Sequence, residues 1–239
     1  MTKLYDDENK YWDKIADEYA DEIMAIQPVF YANSANFIND KLKNGQYVAD
    51  IGNGGVINYK FDYLQKLDCI DLSLSKTVAE KYSEYTNIEF KSGNIFDLSQ
   101  IRDGTYDRVI VQCVIHHLAG NNFITTKKNT IKALNECMRI LKSDGKLIIV
   151  ESTVCPWFEI VEKKLYGLMQ LFFRMIRFDT VYQFSAPSLI NLIHTEKIGK
   201  ITETEMIEIG KYMWLLKKKV PNKLTPCRAV GICVKKEWY

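Results

Sequence analysis

The stretch Tyr47-Val48-Ala49-Asp50-Ile51-Gly52-Asn53-Gly54-Gly55 decides how this chain is read. A short apolar run that ends in an acid and then breaks into spaced glycines describes a buried strand entering a tight turn. A ligand can approach bare backbone there. A second acid, Asp71, closes the next apolar run in Cys69-Ile70-Asp71-Leu72-Ser73. At the tip of a neighbouring strand it is placed to accept hydrogen bonds from ribose hydroxyls. Together the two segments read as a cradle for a nucleoside cofactor.

The flanking sequence keeps one rhythm. Strands are expected over residues 48–51, 67–70, 88–90, 106–111 and 146–150. Between them stand a short helix over 61–67, a helix capped by Ser73 and running to 85, and a helix from Thr126 to the Ser143-Asp144-Gly145 stop. Nearly continuous apolar strands alternating with helices imply a parallel sheet covered on both faces. In such sheets ligands sit beyond the carboxyl ends of the strands, where the strand order reverses. Asp50, Asp71, Gln112 and Glu151 all fall at expected carboxyl ends.

Outside this core the pattern changes. Residues 11–41 carry Trp12, Ile15, Ala16, Tyr19, Ile23 and Ile26 at helical spacing, interrupted by Pro28. Beyond Glu151, residues 157–178 form a long stretch of Phe, Leu, Met and Tyr with Lys163, Lys164, Arg174 and Arg177 interleaved. Charge breaks it too often for a bilayer span, which needs about 20 largely apolar residues. A helix over 187–194 and strands over 203–209 and 227–234 complete the chain.

A formal charge of +2 over 239 residues gives no reason to invoke nucleic acid. The six cysteines are scattered without a Cys-x-x-Cys pair, and three histidines are too few to make a metal site the natural reading. We expect reduced thiols, no metal, and a cytoplasmic protein, since the acidic start Tyr5-Asp6-Asp7-Glu8 does not resemble a secretory signal.

Four motifs in order carry a family resemblance: Asp50-Ile51-Gly52-Asn53-Gly54, then Asp71, then Gly93-Asn94-Ile95, then Tyr106-Asp107 through His116-His117-Leu118. With the Arg139-Ile140-Leu141-Lys142-Ser143-Asp144-Gly145 turn, they resemble the class I S-adenosylmethionine-dependent methyltransferases over roughly Asp50 to Glu151. The resemblance implies an α/β fold: a Rossmann-like, seven-stranded, mostly parallel sheet with helices on both faces and the last strand antiparallel. It also implies one domain over 1–239, divided into an N-terminal helical lid (1–45), a cofactor-binding core (46–151), a helical substrate-covering insertion (152–200) and C-terminal strands (201–239).

By the same resemblance, backbone around Asp50, Ile51, Gly52, Asn53 and Gly54 holds the methionine part of S-adenosylmethionine, with S-adenosylhomocysteine as product. Asp71, with Leu72 beside it, takes the ribose, Asn94 and the Ile95 amide meet the adenine, and Gln112 approaches the amino acid moiety. Two positions depart from the pattern: Val56 stands where the family has a third glycine, with Gly55 one place early, and Asn94 replaces an acid. A dinucleotide reading requires glycine at position 57, which is Ile57.

An ionising acceptor hydroxyl needs a base, and His117 or its neighbour His116 is the candidate, because imidazole titrates near neutrality. Paired histidines in the family also occur without a chemical role. Glu151 and Tyr19 are expected to meet the acceptor; the Tyr5, Tyr11, Trp12 and Tyr19 group reads either as a lid over a sulfonium or as a helix face packed on the sheet. The 157–178 segment reads as an acceptor cover, a homodimer contact, or a membrane-surface helix without stable insertion. The acceptor is expected to be a small molecule methylated on oxygen. Val220-Pro221-Asn222-Lys223-Leu224-Thr225-Pro226 resembles segments of methyltransferases of bacterial surface-polysaccharide pathways, which implies a sugar- or phosphoryl-linked hydroxyl. The rival readings are an isoprenoid-quinone or lipid methyltransferase and a noncatalytic cofactor-binding partner.

Overall fold

The structure, a computed structural model, describes residues 22–73, 76–175, 180–213 and 219–237, without the side chains of 172–174 and 212–213. Helix α1 (Pro28–Asn39) precedes β1 (Tyr47–Ile51), β2 (Lys66–Asp71), α2 (Lys76–Lys81), β3 (Ile88–Ser92) and β4 (Tyr106–Gln112). A tight helical turn (Ile115–His117) leads into α3 (Phe123–Ile140), β5 (Leu141–Val154), α4 (Pro156–Lys164), α5 (Tyr166–Met175) and α6 (Ala186–Thr195). Strand β6 (Lys200–Met206), a small β7 (Lys211–Met213) and β8 (Lys219–Pro221) ribbon, and β9 (Cys227–Lys235) follow.

Seven strands make one sheet in the order β3-β2-β1-β4-β5-β9-β6. Strands β1 to β5 pair in parallel, and β9 runs antiparallel to both β5 and β6. The contiguous apolar runs are buried on both faces, as a parallel sheet requires. On one face, Val109, Val111, Leu147 and Ile149 meet Leu134 and Cys137 of α3 and Leu189 and Ile193 of α6. On the other, Ile110, Ile148 and Val150 meet Phe30, Phe37 and Ile38 of α1. Chain order reverses at β1, which lies between β2 and β4, and this opens a crevice beyond their carboxyl ends.

Several expected elements differ. Residues 61–67 form no helix: the chain turns, Asn87 Nδ2 donates to the carbonyls of Phe61 (2.9 Å) and Leu64 (3.1 Å), and β2 begins at Lys66. Apolar Phe61 and Leu64 seek the core from a turn as well as they do from a helix, so periodicity misleads there. Helix α3 starts at Phe123, earlier than Thr126, because the Asn122 side chain caps it by accepting from Thr125 N at 2.9 Å. The described part of the 157–178 stretch, up to Met175, divides at Leu165 into α4 and α5.

Arg139, at the last turn of α3, clips the loop that follows β3 to that helix. Its guanidinium donates to the carbonyls of Leu98 (2.7 Å) and Ile101 (2.9 Å) and pairs with Glu136 and Asp103. On α4, buried Glu159 binds the start of α6: it accepts from Ser185 N (3.1 Å), Ser185 Oγ (2.6 Å), Ser188 Oγ (2.6 Å) and Tyr182 OH (3.1 Å). Glu159→Ala strands all these donors out of water and is expected to lower unfolding free energy by about 3 kcal/mol. A urea midpoint measured with unchanged slope checks it.

Candidate active site

The glycine turn is held by its backbone. Gly52 leaves β1 with φ of 71° and donates its N–H to Ile70 O at 2.7 Å. A Cβ on Gly52 would stand 2.9 Å from a Val114 methyl, and the left-handed conformation is costly for any other residue. Gly54 and Gly55 are also left-handed, with φ of 54° and 80°, and the Asn53 side chain accepts from Gly55 N at 3.0 Å. The early glycine is therefore part of the turn itself, and Val56 is free to enter the core.

Asp71 ties this turn to β2. Its carboxylate accepts from Gly54 N at 2.9 Å through one oxygen and from Ser73 N at 3.1 Å through the other. Burial raises its pKa while those backbone donors pull it down. Each oxygen keeps a lone pair for a further donor. Leu72, beside it, is exposed at the rim.

Asp50 is buried at the end of β1, and Tyr59 OH donates to its Oδ2 at 2.6 Å. Burial pushes the Asp50 carboxyl up to about 7, against the pull of the Tyr59 hydroxyl and the nearby Asn53 amide and with the push of the Asp71 charge. Asn53 comes near enough to influence the carboxyl without closing a hydrogen bond of ordinary geometry. Asp50 Oδ1 and Asn53 Nδ2 are left without a hydrogen-bond partner.

Across the crevice, Gln112 at the end of β4 donates from Nε2 to Asn58 Oδ1 at 3.2 Å, while its Oε1 has no partner. Asn58 donates in turn to Tyr31 O (2.7 Å) and Ser34 Oγ (2.8 Å), which fastens α1 over this edge. Tyr59 and Asn58 escape the sequence reading, because nothing in their spacing marks two polar residues after a glycine turn as wall rather than loop. Asn94 spends one lone pair of its side-chain carbonyl on Phe96 N at 2.9 Å, and Ile95 is buried beside it. Tyr19 and the other residues of the expected aromatic lid lie outside the described residues.

Beyond β4, Cys113 adopts a positive φ of 56° and bends the chain into the turn that carries both histidines. Glu151, 1% exposed, stands behind that turn: Oε1 meets His116 Nδ1 at 2.5 Å and Ser152 N at 2.8 Å, and Oε2 accepts from Ile115 N at 2.7 Å. The His116 and His117 rings are 4.0 Å apart. Glu151, expected to meet the acceptor, thus lies behind the histidine turn, where it accepts protein hydrogen bonds on both oxygens and anchors the His116 ring.

The molecule thus gathers two acids, a glycine turn, an amide and an imidazole along one sheet edge. Residues 49–149 match a family described as a methyltransferase domain. This stretch is a class I S-adenosylmethionine-dependent methyltransferase domain. The fold is shared by the 1,6-didemethyltoxoflavin-N1-methyltransferase of Burkholderia thailandensis, solved with 1,6-didemethyltoxoflavin and S-adenosylhomocysteine. That similarity has 12% identity and a TM-score of 0.65, covering 100% of this chain and 92% of that one. The geranyl diphosphate C-methyltransferase of Streptomyces coelicolor shares it at 11% identity and TM-score 0.62, over 86% of this chain and 80% of that one. A highly reducing polyketide synthase of Aspergillus sclerotiorum is 31% identical over 96 residues, 37% of this chain, and the chain spans 3% of that protein's length.

The methyltransferase residues fit S-adenosylmethionine, the cofactor of this domain. The buried Asp50 Oδ1 and Gln112 Oε1 are acceptors without donors, which suits the ammonium end of an amino acid. A side chain on Gly52 would collide with Val114 and displace the turn that walls the cradle. Asp50 makes this fit dependent on pH. With its pKa raised from 3.8 to about 7, the folded apo protein holds a proton that the unfolded chain has lost, so Asp50 erodes stability as pH rises between those values. A bound ammonium favours the ionised form and must displace that proton. S-adenosylhomocysteine affinity is therefore expected to rise by up to about tenfold per pH unit below neutrality and to level off above it. Calorimetric titration checks this, and Asp50→Asn should flatten the slope.

Proposed function

We propose that this methyltransferase moves a methyl group from S-adenosylmethionine to a hydroxyl of a small acceptor, with His116 taking the hydroxyl proton. The observation that carries the reading is the His116–Glu151 pair, 2.5 Å apart, at the edge where the cofactor residues converge. With the Nδ1 proton given to Glu151, the His116 Nε2 atom carries the lone pair that a general base needs. Bound S-adenosylmethionine supplies an electrophilic methyl on a sulfonium. Asp50, Gln112 and the glycine turn orient its amino acid end, Asp71 its ribose, and Asn94 with Ile95 its adenine.

The insertion over 152–200 covers the acceptor in this reading, between the cofactor-binding core and the C-terminal strands of one domain. Its inward polar groups suit a molecule rich in hydroxyls, such as a sugar- or phosphoryl-linked metabolite. Gln183 Nε2 donates to Ser152 Oγ at 2.6 Å, and buried Glu162 has an oxygen without a partner. Burial, together with the Glu159 charge, pushes the Glu162 carboxyl up to about 7 against the pull of the Gln183 amide. The two structural relatives are named for N- and C-methylation, so the fold leaves the acceptor atom to the site.

Turnover of methyl-labelled S-adenosylmethionine against a panel of sugar-linked and phosphorylated hydroxyl compounds tests this. An O-methyl product is expected. Label found on nitrogen or carbon, or cofactor binding with no transfer to any acceptor, would sink it.

A further inference from the structure

Helices α4 and α5 are built inside out. Their buried side carries the polar residues Glu159, Glu162, Tyr166 and Gln170, while Trp157, Ile160, Leu165, Leu168, Leu171 and Met175 point outward, each between 46% and 75% exposed. The outward set recurs every three to five residues, which lays it along one continuous stripe of the helix pair. Single exposed apolar side chains are ordinary, but an aligned stripe on a protein surface marks a contact with something apolar.

We propose that this face docks on the surface of an anionic bilayer. The charge around the stripe selects that occupant. Lys164 is exposed on α4, Lys163 beside it holds its ammonium over the Phe123 ring of α3 at 3.9 Å, and the only acids of the two helices, Glu159 and Glu162, are buried. Among the described side chains of the pair, the exposed charge is thus wholly positive. Lysine stems lie along apolar surface and carry their ammonium groups to the headgroup level, and a tryptophan such as Trp157 favours that same depth. A second copy fits worse, because a two-fold contact through this stripe sets each cluster of lysines against its own image. Among the described residues no helix is long and apolar enough to cross a membrane, so the seat is on the surface.

Co-sedimentation of the full chain with phosphatidylcholine vesicles, with and without phosphatidylglycerol, tests the assignment at low salt. The chain is expected to pellet with the anionic vesicles and to stay in solution with the neutral ones. The Leu168→Glu/Leu171→Glu pair should weaken binding by at least about a hundredfold, since each leucine loses its apolar burial. Lys164→Gln should weaken it about fivefold. These side chains are exposed, so the melting temperature of both variants should match that of the wild type. Failure of the wild type to pellet with anionic vesicles overturns the proposal. So does equal binding by the leucine variant, or a wild-type dimer that the leucine variant splits, which would assign the stripe to a second copy.

Discussion

His116→Ala is expected to lower kcat for methyl transfer about a thousandfold while S-adenosylhomocysteine affinity stays within about twofold of the wild type. The imidazole is held by a buried carboxylate: Glu151 takes His116 Nδ1, Ile115 N and Ser152 N. Three donors converge on one side chain, and a glutamine in its place has a single carbonyl to offer them. Glu151→Gln should therefore loosen the turn that carries the ring and lower kcat about a hundredfold, as loss of an orienting partner does elsewhere. Because Glu151 acts through His116, the double variant should be no slower than His116→Ala alone. Independent, multiplying losses would show that the carboxylate does something other than position the ring. Stopped-assay kinetics on the three variants, with cofactor affinity measured separately, decide the matter.

Asp71→Ala is expected to weaken S-adenosylhomocysteine binding about a hundredfold, the loss of two charge-assisted hydrogen bonds at about 1.5 kcal/mol each. The carboxylate has a second duty, since it accepts from Gly54 N and so fixes the height of the glycine turn. An analogue that lacks both ribose hydroxyls separates the two duties. The wild type should bind it about a hundredfold less tightly than S-adenosylhomocysteine, whereas Asp71→Ala should bind both ligands alike. If the variant still discriminates between them, the ribose is held by another residue and Asp71 serves only the turn.

The sheet was legible in the sequence because its strands are buried on both sides. Val109-Ile110-Val111 and Leu147-Ile148-Ile149-Val150 are apolar at every position, which a half-exposed strand never is, and the glycine turn and Asp71 mark where two of these strands end. The turn over 58–65 was not legible. Its apolar residues serve the core and its polar residues, Asn58 and Tyr59, serve the crevice, so no single period describes it. The place of Glu151 at a strand end was legible and its hold on the His116 ring was not, since an acid at a strand end looks the same in sequence whether it faces a ligand or supports a neighbour. Helices α4 and α5 hid their orientation for a related reason. Amphipathic spacing reports that a helix has two faces, and the polar one here turned inward.

Every residue role given above requires the crevice between β1 and β4 to receive an adenosyl amino acid. A crystal structure of the chain with S-adenosylhomocysteine tests this most directly. The ribose hydroxyls are predicted within hydrogen-bond distance of the Asp71 carboxylate, and the amino group against Asp50 Oδ1 and Gln112 Oε1. A ligand bound elsewhere on the chain, or that crevice closed by the protein's own side chains, would contradict it.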